Sequence, residues 1–152
     1  MRNLQNQLVL AIGVLLMAFS IQATAVESTS VVGVAGYDLV SYHAGKKPLQ
    51  GNGNHVVRHE GVNYLFASRG NAETFKADPD KYLPAYGGYC AFGVAVGKKF
   101  VGDPTVWEVV DGTLYLNLDN GIKKLWAQDI PGHIAKAEEN WPQIRGIAAA
   151  EL

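Results

Sequence analysis

What most limits the fold of this chain is a pair of two-residue turns. Glu60-Gly61 and Asp111-Gly112 each sit between two short runs rich in β-branched and aromatic residues. A two-residue connection needs left-handed backbone at its centre, which Asp111-Gly112 supplies as a preferred pair and Gly61 supplies at the second position of the other turn. His55 to His59 and Val62 to Phe66 therefore form one antiparallel hairpin, and Val106 to Val110 and Thr113 to Asn117 a second. In the last run Leu114, Leu116 and Leu118 alternate with Thr113, Tyr115 and Asn117, the period of two expected of a half-buried strand.

Helix signals fall between and after the hairpins. Asp38 supplies an acceptor ahead of Leu39 to His43, a turn or two closed by Gly45 and Pro48. Ser68 heads a helix carrying Ala72, Phe75 and Lys76 that stops near Asp78-Pro79, with Asp80 to Leu83 a further turn. After Gly87-Gly88, the small residues of Tyr89 to Val96 fit a short buried helix ending at Gly97. Asp119 or Asn120 starts a helix through Trp126, and Pro131 starts another through Ile134, Ala137 and Trp141, stopped by Pro142. Val31 to Ala35 reads as a short leading strand and Gly51 to Asn54 as a turn.

The segregated order gives an α+β class: a small single domain with two antiparallel β-hairpins and four or so short helices. At 152 residues the chain can bury one sizeable core. No long repeat or interdomain linker is visible. The two hairpin-plus-helix halves raise the idea of a duplication, but their sequences do not match.

The first residues read as an export signal, residues 1–25. Arg2 precedes an apolar run from Leu8 to Ile21, and Ala23-Thr24-Ala25 is a cleavage pattern, with the cut after Ala25. The run falls short of the roughly 20 residues that span a bilayer, so no stable membrane anchor is expected after cleavage. The mature chain, residues 26–152, is expected in the periplasm or secreted. Thirteen basic and fourteen acidic residues give a net charge of −1, with no dense basic run, so the charge pattern offers nothing to nucleic acid.

The single cysteine, Cys90, lies in YGGYCAFGVAVG, from Tyr86 to Gly97. It excludes an intramolecular disulfide, so packing alone must hold the fold. A lone thiol in an oxidising compartment is intermolecularly bonded, reactive, or buried and inert. In the first turn of a helix, the backbone amides and dipole would favour its thiolate. Among Ala, Phe and Val it is equally a small core residue.

His55 and His59 share a strand face but stand about 13 Å apart at ~3.3 Å per residue, too far to chelate one ion. His133, early in a helix, reads as solvent-facing. Tyr37, Tyr42, Tyr86 and Tyr89 belong to a tyrosine-rich region that fits either a core or an aromatic pocket wall beside Cys90. Asp38 fits a helix cap, a ligand or a base. There is no CxxC, phosphate loop or paired-carboxylate signature.

Three blocks carry a resemblance: Gly36-Tyr37-Asp38-Leu39-Val40-Ser41-Tyr42, Gly61 to Ser68, and Phe75 to Tyr82. In order and spacing they resemble the YHS domain family. The remainder, with GGYCAFG at Gly87 to Gly93, DPTVWEVVDGTLYLN at Asp103 to Asn117 and EENWP at Glu138 to Pro142, is similar to exported bacterial proteins described as YHS domain-containing (seleno)proteins. The resemblance implies a YHS-type domain with a C-terminal extension, in a family suspected of binding metal through cysteines. Where metal-linked relatives hold those cysteines, this chain has Ser41, Ala67 and Asn71, so a thiolate-rich site does not carry over. Some closer relatives use selenocysteine, and Cys90 is the residue that would correspond.

These observations lead to three functional expectations. The first is a noncatalytic module binding a soft metal ion, copper or zinc, or a small molecule. Its metal donors would be Cys90 and His43, with Tyr37, Asp38, Tyr42, Tyr86 and Tyr89 around them. The second is a thiol-dependent redox enzyme with Cys90 as nucleophile. The third is an interaction domain with Cys90 in its core.

Overall fold

The computed structural model describes residues 30–152, so the expected export signal and its expected cleavage point lie outside the described residues. Both hairpins form where the turn pairs place them. β1 (Asn52–His59) pairs antiparallel with β2 (Val62–Phe66), and β3 (Asp103–Val110) with β4 (Thr113–Asn117), as two separate sheets. Glu60 and Gly61 have φ of 47° and 82°, and Asp111 and Gly112 have 48° and 81°, the left-handed pair that a two-residue hairpin requires. The helices are α1 (Arg69–Ala77), α2 (Pro79–Tyr82), α3 (Ala91–Ala95), α4 (Asn120–Trp126) and α5 (Ile130–Ile144), so the class is α+β. A 3-10 segment, Leu39–Ala44, follows Asp38.

β4 differs from its expected half-buried form because it is covered on both faces. Leu114 and Leu116 enter one apolar cluster with Leu39, Tyr42, Phe66 and Phe75. Tyr115 points the other way, into a second cluster with Tyr86, Val94, Trp126 and Ala137. The helices after residue 90 supply that second layer, and β4 becomes the wall between two cores. Leu118 lies past the end of the strand and is exposed.

Four other expectations change. Val31 to Ala35 is not a strand: only Val32 pairs, parallel to Asn63, and the chain then turns through left-handed Val34 and Ala35, with Gly33 against the Tyr64 ring. Gly51 to Asn54 is not a turn but the irregular opening of β1, where Asn52 Oδ1 accepts the Asn54 N–H at 2.9 Å across a bulge. Asp80 to Leu83 tightens into helix α2, with Pro79 in its first turn. Pro142 does not stop α5, which runs on to Ile144. A proline inside a helix costs about 3 kcal/mol. Here the last turn is anchored by buried Ile144 and by Lys99, whose amine donates to the carbonyls of Ile144, Arg145 and Ile147.

The two halves of the described chain repeat each other. Gly33–Gly36 and Ala85–Gly88 are the same tight turn, with left-handed Val34 and Ala35 matched by Tyr86 and Gly87. Asp38 N–H donates to Leu49 O at 2.9 Å, and Cys90 N–H to Phe100 O at 2.8 Å. Gly51 N–H donates to Gly36 O, and Gly102 N–H to Gly88 O. Val32 bridges Asn63, and Pro84 bridges Leu114. The bulges fall at Asn52/Val56 and Asp103/Trp107, and each is closed by the Asx side chain on the amide two residues on. Ser68 caps α1 through Asn71 N as Asp119 caps α4 through Ile122 N. Equivalent residues are 52 apart up to Lys47 and Lys99, and 51 apart from Leu49 and Phe100 onward. A side chain at Gly102 would meet Gly88 O at 2.8 Å, and one at Gly51 would meet the Leu65 backbone, so both halves keep glycine there.

Candidate functional site

Matching the halves puts Cys90 at the position of Asp38. Asp38 is fully buried, and its carboxylate is enclosed by donors. Oδ1 accepts Val40 N at 3.0 Å and Ser41 N at 3.2 Å, capping the Leu39–Ala44 segment. Oδ2 accepts Ala67 N at 2.9 Å and Asn71 Nδ2 at 2.7 Å, tying that segment to the end of β2 and to α1. Ser41 Oγ donates to Asp38 O at 2.6 Å and accepts Leu49 N at 2.9 Å. Ser41, Ala67 and Asn71, the three positions singled out by the family resemblance, thus converge on one carboxylate. A buried charge is tolerated when donors surround it in this way.

Cys90 is 1% exposed and stands one residue before α3 rather than inside its first turn. Its sulfur accepts Gly93 N at 3.3 Å, the counterpart of the Ser41 N bond to Asp38. Its thiol faces Asn117 Oδ1 at 3.7 Å, and the same oxygen accepts Phe92 N at 3.5 Å. The counterpart of Asn71 is Ile122, which offers no side-chain donor. Asn117, fully buried at the end of β4, completes the cap instead. The thiol thus takes up both roles open to it, weak acceptor and weak donor.

The other predicted site residues divide between the two cores. Tyr42 is in the first, edge-on to Trp107 at 5.2 Å, with its hydroxyl donating to Pro104 O at 2.8 Å. Burial, then the nearby Tyr37 and Asp103, pushes its pKa far above the phenolic range, so it stays neutral. Tyr37 packs partly buried against the same cluster. His43 lies edge-on to the Tyr82 ring at 5.1 Å, and its buried Nε2 has no hydrogen-bond partner among the described residues. Burial, reinforced by Lys81, lowers its pKa.

Tyr86 and Tyr89 belong to the second core. Tyr86 donates to Glu138 Oε1 at 2.9 Å. Burial first, then that hydrogen bond and charge, raises its pKa strongly. Tyr89 packs near Trp141, with the Lys99 ammonium 5.0 Å above its ring. Tyr86 lines a groove of about 360 Å³ with Glu138, Trp141 and Tyr115; the groove does not include Cys90.

Among the described residues no three His, Cys, Asp or Glu side chains gather as a metal site. His133, expected to face solvent, is half-buried: its Nδ1 lies 2.9 Å from Trp126 O and its ring edge-on to Phe92. Sequence reasoning missed Asn117, because period-two alternation assigns it to the outer face of β4, and Lys99, an apparently ordinary surface lysine. Comparison of the chain with protein families, characterised proteins and solved structures finds no match.

Proposed function

We propose that the mature chain is an exported, noncatalytic binding domain of YHS type in which Cys90 serves the fold. The observation that carries this reading is the equivalence of Cys90 and Asp38: each is buried, precedes a short helical segment and accepts the N–H three residues on. A thiol that caps a helix and meets a buried amide has no free face for a substrate. A redox nucleophile would need both a stable thiolate and access.

A second reading keeps copper or zinc on Cys90 with His43 as the other donor. It is favoured by the His43 ring, which burial keeps neutral and whose Nε2 has no partner among the described residues. Both readings turn on access to the sulfur. Alkylation of the folded mature chain at pH 7, with and without saturating copper or zinc, separates them. The structural reading expects labelling that is slow, indifferent to metal and fast only in denaturant. Rapid native labelling that metal suppresses would overturn it in favour of coordination, and rapid labelling indifferent to metal would favour the thiol enzyme.

A further inference from the structure

We propose that the groove between β1 and α1 binds a multivalent oxyanion of the phosphate class. The groove has a volume of about 390 Å³ and is lined by Arg58 from β1 and by Arg69 and Lys76 from α1, with His55 beside them. Glu73 is the only carboxylate on its wall. Among the described residues none of the three cations forms an ion pair, although Glu73 lies four residues after Arg69 and three before Lys76 on the same helix. Arg58 stands on β1 and Arg69 and Lys76 on α1, and the chain as a whole is slightly acidic, so it is the packing of this helix beside this strand that gathers the three charges.

The repeat shows what this groove contains when it has no ligand to receive. In the second half the corresponding space lies between β3 and α4. There Lys123 reaches across, donating to Trp107 O and pairing with Glu108 at 2.7 Å. The counterpart of Lys123 is Ala72, and that of Glu108 is Val57. The first half therefore lacks the lysine that plugs the space and the acid that neutralises it, and it lines the opening with cations. Guanidinium groups match phosphate oxygens through paired N–H donors, and a lysine adds a point charge. Single exposed charges attract weakly, so a useful ligand must meet several at once. The groove falls within the ~300–1,000 Å³ of small-molecule sites, enough for a diphosphate or a phosphorylated metabolite.

This proposal rests on the binding-domain reading but not on the state of the Cys90 sulfur. The test is calorimetric titration of the mature chain with inorganic pyrophosphate, with amide chemical shifts followed in parallel. The site predicts saturable binding that shifts the amides of residues 54–58 and 69–76. It also predicts roughly tenfold or greater weakening in a triple variant, Arg58→Gln, Arg69→Gln and Lys76→Gln.

A control triple, Lys46→Gln, Lys47→Gln and Lys98→Gln, makes the same charge change on exposed residues elsewhere and should leave binding unchanged. All six residues are exposed, so both variants should unfold close to the wild-type temperature. No saturation, equal weakening by both triples, or shifts confined to other residues would overturn the proposal. If binding fails while Cys90 stays shielded, the anion site is lost and the reading of the thiol stands; pyrophosphate binding with a readily labelled Cys90 gives the reverse.

Discussion

Replacing Asp38 with asparagine removes one acceptor from a cage built for two. The carboxylate receives four N–H groups, two on each oxygen, at 2.7 to 3.2 Å. Asparagine keeps one oxygen and turns an NH₂ toward the other two donors, whichever way the amide is flipped. Each buried donor left without an acceptor costs about 1–3 kcal/mol, so Asp38→Asn should lose roughly 2–6 kcal/mol. Against a total of about 5–15 kcal/mol for a domain, that is a large fraction. At about 4 °C per kcal/mol for a chain of this length, the midpoint should fall by roughly 8–24 °C. Urea unfolding followed by tryptophan fluorescence measures the change, and an unchanged denaturant slope certifies that the native state is the same. A loss below about 1 kcal/mol with that slope intact would refute the cage as a source of stability.

Two further perturbations probe other parts of the account. Because burial and Lys81 hold His43 neutral in the folded chain, the unfolded chain takes up its proton first, near pH 6.5. The His43 contribution to stability should be level above that pH, fall as pH drops toward the lowered folded value, and level off once both states are protonated. His43→Phe should flatten the decline that begins at about pH 6.5, and an unchanged slope would contradict the assignment. Lys99→Met strips the donor from the carbonyls at the end of α5 and should cost about 1–3 kcal/mol. Hydrogen exchange should show protection lost around residues 144–147, and retained protection there would show that Lys99 does not hold the helix end.

The sequence carried local geometry well and distant coverage poorly. Glu60-Gly61 and Asp111-Gly112 revealed both hairpins because a two-residue turn is decided by its own two residues. Asp38, Ser68 and Asp119 were legible as caps for the same reason. β4 misled because its leucines alternate as in a strand with one wet face. Helices later in the chain cover Tyr115, and Asn117 is covered by Cys90 and Phe92, up to 27 residues earlier. Pro142 misled because the force that keeps α5 intact comes from Lys99, 43 residues earlier.

The repeat was hidden for two physical reasons. A one-residue difference between Lys47 and Leu49 breaks the register, and the buried partners exchange chemistry: Asp38 with Cys90, Tyr42 with Val94, Phe66 with Asn117. Identity survives at Gly36-Tyr37 and Gly88-Tyr89, at Gly45-Lys46-Lys47 and Gly97-Lys98-Lys99, and at Tyr64-Leu65 and Tyr115-Leu116. These pairs become persuasive only once the turns and bulges are superposed. The candidate site was legible in its members, since Cys90 and Asp38 were both singled out, but not in their relation to each other.

The central claim, that Cys90 is the second half's counterpart of a capping aspartate, predicts an order of stability. Serine keeps a donor and an acceptor in the cap, while alanine keeps neither. A helix cap is typically worth about 1 kcal/mol. Equilibrium unfolding of Cys90→Ser and Cys90→Ala, measured side by side in urea, should therefore find the serine variant more stable by about that amount. If Cys90 were only a small apolar core residue, the buried hydroxyl would be the worse replacement, and an alanine variant more stable than the serine variant would contradict the account.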